Sequence, residues 1–149
     1  MKNWFKINDE DLEIIKPYKW VKGIRYPIAH IYKNGKRTSL YMHKLLMGEI
    51  GEMDHINGDG FDNRRANLRK ATRQQNSFNQ KINRSNNTSG YRGVTWKTPH
   101  GKEGWWYAGI EINGKSIHLG CYKDKIEAAK IYNQAAIKYF GEYARLNQL

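Results

Sequence analysis

Asp54 and His55 stand side by side in this chain, and Asn63, Asn67 and Asn76 follow shortly after. Arg64, Arg65, Arg69, Lys70 and Arg73 are interleaved with them. An imidazole can take a proton from water near neutral pH. A carboxylate and an amide oxygen are hard ligands of the kind that Mg²⁺ prefers. Guanidinium groups pair with the oxygens of phosphate. Gathered at one place, these groups suit the hydrolysis of a phosphodiester.

Three elements must position them. Glu52 to Asn57 reads as a short strand carrying Asp54 and His55. Asn57-Gly58-Asp59-Gly60 is a turn signal, because Asn, Asp and Gly tolerate left-handed backbone. Ala66 to Lys70 reads as a second strand, with Asn67 near its start. Thr72-Arg-Gln-Gln75 is a capping-box pattern that opens a helix and puts Asn76 in its first turn, directed back at the first strand. The expectation is strand, strand and helix around one cation.

Asp54-His-x-Asn-Gly58, Asp62-Asn-Arg-x-x-Asn-Leu-Arg69 and the downstream Asn76 occur in order. Together they resemble the HNH nuclease motif, in the Asn-rich form found in homing endonucleases of phage and mobile introns. The resemblance covers roughly residues 40–80. It implies that His55 is the general base and that Asp54 and Asn76 bind a divalent metal. It further implies that Asn67 holds the base or its loop in place. Many relatives of the wider superfamily have His at the position of Asn76; the amide there fits Mg²⁺ or Mn²⁺ better than Zn²⁺. Asn63 and His43 are supporting candidates. For His43, a phosphate contact or a role beside the site stands against a histidine simply packed between hairpin and motif.

Charge agrees with such a partner. The chain has 149 residues, with 26 Lys plus Arg against 14 acidic residues and a net charge of +12. That balance favours an anionic partner, nucleic acid first. Ten Tyr and five Trp add stacking and packing surface. The lone Cys121 excludes a disulfide within the chain and a Cys-rich zinc site, and its Leu-Gly-Cys-Tyr setting suggests a small buried residue near a strand end. The N-terminus has no apolar signal core, so a cytoplasmic, non-secreted protein of the host cell is expected.

Further elements can be read in order. Asn8 to Lys16 suggests a helix capped by Asn8 and stopped by Pro17, with Leu12 and Ile15 on one face. Arg25 to Tyr32 and Arg37 to Tyr41 alternate as two strands around an Asn34-Gly35 hairpin turn. Tyr41 to Met47 suggests a short helix; His30 in the strand pattern reads as structural. The domain organisation expected is 1–83 for a nuclease part, 84–90 for a polar linker and 91–149 for a second part. Residues 1–83 hold 16 basic and 9 acidic residues and 84–149 hold 10 and 5, so both parts suit DNA.

From Tyr91 the pattern predicts strands at Val94 to Lys97, Trp105 to Ile112 and Lys115 to Tyr122, with Asn113-Gly114 as a hairpin turn. Asp124-Lys-Ile-Glu127 is a second capping-box pattern, and Gly141 ends the helix after Phe140. Ala128, Ala129, Tyr132, Ala135, Ala136, Tyr139 and Phe140 recur at helical spacing. A weak internal echo links Ala29-x-Ile-x-x-Asn-Gly-Lys36 to Ala108-x-Ile-x-x-Asn-Gly-Lys115, which hairpin physics explains as well as duplication does.

Tyr91-Arg-Gly-Val94, Trp106-Tyr-Ala-x-Ile110, Leu119-Gly-x-Tyr122 and Ala128-Ala-x-x-Tyr132-x-x-Ala-Ala136 resemble the plant ethylene-response-factor (AP-two) DNA-binding domain. That resemblance implies a sheet laid in the major groove, with Arg92, Trp96, Lys97, Trp106 and Lys115 matching the DNA face by position. The plant domains carry further arginines where this chain has Thr95 and Trp96, so no base preference transfers. Neighbours alternate across a strand, so Trp105, Trp106 and Tyr107 cannot all face DNA.

The fold class expected is α+β: a ββα-metal module with a preceding β-hairpin, then a three-stranded antiparallel sheet on one helix. The function expected is a metal-dependent endonuclease of duplex DNA, using Mg²⁺ or Mn²⁺, monomeric or dimeric for double-strand cutting. The alternative is a DNA-binding regulator with a degenerate nuclease site.

Overall fold

A computed structural model of the chain describes residues 4–48, 51–80, 87–98 and 103–149. The architecture is α+β with small antiparallel sheets, divided into two units, Met1–Asn79 and Gln80–Leu149. The linker expected over 84–90 lies in part outside the described residues.

The first unit opens with a 3-10 turn, Asp9–Asp11, followed by helix α1 (Leu12–Ile15). This replaces the continuous helix expected from Asn8. The Asn8 side chain caps nothing there; its Oδ1 accepts from the backbone N–H of Arg65 at 2.8 Å, a tertiary donor that outcompetes the local cap. A three-stranded sheet follows in the order β1 (Trp20–Lys22), β2 (Pro27–Lys33), β3 (Lys36–Tyr41). The β2–β3 turn holds Asn34 and Gly35 at φ 53° and 74°, the backbone a two-residue hairpin needs. β2 starts at Pro27, two residues later than expected, and β1 was not legible: three half-buried to exposed residues carry no period. Pro27, Ala29 and Leu40 are buried. Helix α2 (Met42–Met47) ends at Gly48, whose φ of 78° is the left-handed C-terminal cap. Met42 and Leu46 join Ile15 in a core flanked by Phe5, Ile7, Trp20 and Leu45.

Strand β4 (Met53–His55) pairs antiparallel with β5 (Leu68–Lys70), and Asp54 faces Arg69 across the ladder. Arg65–Asn67 form a 3-10 turn, so Asn67 precedes β5 rather than lying on it. Helix α3 (Arg73–Phe78) has the full capping box: Thr72 accepts from the Gln75 N–H, and Gln75 returns a bond to the Thr72 N–H.

In the second unit β6 (Val94–Lys97), β7 (Trp105–Ile112) and β8 (Lys115–Tyr122) form an antiparallel sheet in chain order, followed by α4 (Lys125–Phe140). Val94 and Ala108 from the sheet meet Ala128 and Ala129 from the helix in the core, with Tyr91, Trp106, Leu119 and Tyr122 packed around them. Alanine brings helix and sheet close, and Gly93 goes further: a Cβ there would run into the Tyr132 ring. Asp124 caps α4 through the Ile126 N–H, one residue short of the capping-box amide. Tyr139 is 44% exposed, so it leaves the buried helix face that Phe140 joins. Asn147 ties the C-terminal segment down, exchanging bonds with the backbone of Arg92 (2.7 and 3.1 Å) and with the Asn133 amide (2.8 and 3.0 Å).

Two expectations about this sheet are corrected. Cys121 is exposed, because the register sets it opposite Tyr107 on the face turned away from α4. Trp106 packs against the helix-side core, and Trp96, its register partner, meets it edge-on at 4.9 Å. Lys115 pairs with Ile112, two residues beyond buried Ile110, and so projects from the helix side as well. Of the five residues assigned to one DNA face, Lys97 alone among the strand residues lies on the outer face.

Among the described residues, no helix is long and apolar enough to cross a membrane.

Candidate active site

His55 ends β4 with only 6% of its surface exposed. Aromatic rings enclose it. Tyr26 stacks on it at 5.5 Å and 26°, and His43 meets it edge-on at 5.2 Å. Tyr26 also touches His43 at 4.9 Å, closing a three-ring cluster between hairpin, α2 and β4. Gly60 makes room for this: a Cβ there would strike the Tyr26 ring and the Arg25 carbonyl. His43 is therefore a packed ring of this cluster. Its Nδ1 is buried with no hydrogen-bond partner among the described residues, and burial lowers its pKa to about 4, helped by His55 and Lys44.

Asn63, fully buried, places its Oδ1 3.4 Å from His55 Nε2. Its Nδ2 donates to the Gly60 carbonyl at 3.3 Å, which fixes the amide with its oxygen toward the histidine. An amide oxygen only accepts, so this pairing favours the Nε2–H tautomer and leaves the lone pair on Nδ1. Burial lowers the His55 pKa, opposed by the Asn63 bond and by Asp54, Asp59 and Asp62, so the ring is neutral and basic near pH 7.

Asn67 holds the loop instead of the base. Its Oδ1 accepts from the Asn57 N–H at 3.0 Å, and its Nδ2 donates to the Asp62 carbonyl at 2.7 Å and to Asn57 Oδ1 at 3.1 Å. From outside, Lys6 bonds the same loop through the Phe61 carbonyl and the Asn63 N–H, each at 2.8 Å. Asn63 is thus clamped from both sides before it reaches His55.

Asp54 is 3% exposed and already engaged. Arg69 donates Nε and Nη2 to its Oδ2 at 2.9 and 2.7 Å. Asn79, which the sequence reading passed over, sets its Nδ2 within 3.1 Å of both carboxylate oxygens and of the His55 and Ile56 carbonyls. The available signal was Asn76-Ser-Phe-Asn79: two asparagines three apart share a helix face. Asn76 Nδ2 donates to the Met53 carbonyl at 3.1 Å, which sets that side chain against β4 and leaves its oxygen as the end that suits a cation. In kind, the oxygens of Asp54 and Asn76 fit a hard divalent ion. Among the described residues, no three His, Cys, Asp or Glu side chains converge as a ready cage.

The motif arginines are paired rather than bare. Arg64 forks onto buried Asp62, holding its carboxyl below the ordinary range, and Arg65 bonds buried Asp11 at 2.6 Å. Arg73 pairs with Glu52 at 91% side-chain exposure. Exposed pairs of this kind contribute little to stability, so a phosphate can displace the carboxylate. In the second unit the Arg92 guanidinium bonds the Gln80 carbonyl. On the outer sheet face Lys97 Nζ sits 4.1 Å over the Tyr107 ring, which packs on His118 at 4.6 Å.

No protein-family model and no solved structure matches this chain. A curated relative does: an uncharacterised HNH endonuclease of Acanthamoeba polyphaga mimivirus, 33% identical over 142 residues, which span 91% of this chain and 70% of the relative. On that similarity the chain belongs to the HNH endonuclease family.

Proposed function

We propose that this chain is a metal-dependent endonuclease that hydrolyses phosphodiester bonds in duplex DNA, in the manner of a homing endonuclease. The observation that carries the reading is His55, caged by Tyr26 and His43 with Nε2 against Asn63 Oδ1. Nδ1 of the neutral ring would take a proton from water as the water oxygen attacks phosphorus. The P–O bond to the leaving sugar oxygen breaks as the new one forms. Asp54 and Asn76 would hold Mg²⁺ or Mn²⁺, which supplies charge for the leaving oxygen and the phosphoryl group. Arg64, Arg65 and Arg73 would bind flanking phosphates.

The second unit would anchor the DNA. Its register favours the outer sheet face, with Lys97, Trp105 and Tyr107, over the face first assigned. Affinity would come from cations and stacking.

The alternative, a DNA-binding regulator that does not cut, draws on the occupied state of Asp54. Supercoiled plasmid incubated with Mg²⁺ separates the two. Nicking or linearisation that stops with chelator supports the nuclease. Tight DNA binding with intact plasmid supports the regulator.

A further inference from the structure

Asp54 and Arg69 are cross-strand neighbours, and Arg69 Nε and Nη2 both reach the same Asp54 carboxylate oxygen. The Arg69 side chain is 13% exposed, against 51% for Arg64 and 91% for Arg73. Among the motif arginines, it is the one set against the carboxylate expected to hold the ion. A divalent cation approaching Asp54 would meet a neutralised acid and a guanidinium repelling it at short range.

We infer that Arg69 is an internal competitor for the divalent cation, so that cation and DNA bind this chain cooperatively. A DNA phosphate matches the guanidinium fork as a carboxylate does, and Arg69's partial exposure gives it a way there. With Arg69 drawn to phosphate, Asp54 offers its oxygens to the ion, and phosphate oxygens add to the ligand set. Linkage makes the effect reciprocal: DNA strengthens cation binding by the factor by which the cation strengthens DNA binding. The proposal rests on the nuclease reading for the identity of the anion; the competition at Asp54 stands on the ion pair itself.

The test titrates Mn²⁺ into the free full chain and follows the free-ion EPR signal, at neutral and mildly alkaline pH. Arg69→Gln should bind Mn²⁺ at least ~10-fold more tightly than wild type, within the usual range of coupling between sites. Arg69→Lys, which keeps the charge, should gain less. Arg69→Gln with Asp54→Asn should lose the gain. Circular dichroism establishes that each variant is folded. A folded Arg69→Gln with no gain at either pH, or a gain that survives Asp54→Asn, would overturn the competition. A second measurement does not depend on how the Arg69 variants fold: His55→Ala protein titrated with Mn²⁺ with and without duplex DNA. Tighter Mn²⁺ binding with DNA supports the proposal, and equal affinity overturns it. Failure of the nuclease reading would show separately, as wild-type protein that leaves plasmid uncut in Mn²⁺.

Discussion

Asn79 Nδ2 lies 3.1 and 3.0 Å from the two carboxylate oxygens of Asp54 and reaches the His55 carbonyl at 2.8 Å. Asn79 closes α3 and is 5% exposed. One turn earlier, Asn76 bonds the Met53 carbonyl. Two amides on one helix face therefore grip every residue of β4, and they fix the helix to the strand that carries Asp54 and His55.

Asn79→Ala should destabilise the first unit by about 1–3 kcal/mol, because it removes a buried donor shared by the Asp54 carboxylate and the His55 and Ile56 carbonyls. Asn79→Asp should cost more, since it adds a carboxylate against Asp54 and donates nothing. Asn76→Ala removes one bond from a half-buried residue and should cost less. Denaturant midpoints rank the three, and an Asn79→Ala midpoint equal to wild type would show the grip to be incidental.

His55→Ala should cut the cleavage rate by ~10²–10⁴-fold, the usual contribution of a general base, with DNA affinity nearly unchanged. Asn63→Leu should lower the rate too, because nothing then holds Nε2–H and the tautomers mix. Asn63→Asp keeps an acceptor and adds charge that raises the His55 pKa, so it should recover rate while moving the acidic limb of the pH–rate profile to higher pH. Cleavage at the wild-type rate by His55→Ala would remove His55 from the chemistry.

Local signals were legible where the chain itself makes the contact. The Thr72–Gln75 box, the two Asn-Gly hairpin turns and the three strands of the second unit stand where spacing put them. Tertiary partners were not legible. Asn8 looks like a helix cap, yet its acceptor meets Arg65, fifty-seven positions away. Asn63 and Asn67 are alike in type, and only the fold shows that one touches His55 while the other ties the loop. Alternation separates the faces of β7 but does not say which faces the helix; the packing of Trp106 on the core decides that. Nor does a row of arginines reveal which carboxylates already hold them.

The second unit, made as a fragment Gln80–Leu149, should fold alone and bind duplex DNA without cutting it. Its core is its own, and Asn147 fastens the C-terminal segment to Arg92 and Asn133. Affinity should fall as salt rises, because bound phosphates release counterions. Lys97→Ala with Tyr107→Ala should weaken binding more than Trp96→Ala if the outer face carries the contact. A folded fragment with no affinity at low salt would refute the anchoring role.

The ring cage should also make stability depend on pH. His43 is 7% exposed, and burial holds its pKa at about 4 against an ordinary 6.5. Burial lowers the His55 pKa as well. Between about 6.5 and 4 the unfolded chain therefore binds more protons than the folded one, and stability rises with pH across that window. The contribution is complete above the unfolded value and is lost as pH falls toward the folded one. At about 1.4 kcal/mol per pH unit, His43 alone accounts for roughly 3 kcal/mol. His43→Phe keeps a ring in the cage and removes the titrating group, so it should flatten most of the slope and leave the part due to His55. Thermal unfolding from neutral to mildly acidic pH measures both slopes. A variant slope as steep as that of the wild type would place the acid sensitivity elsewhere in the chain.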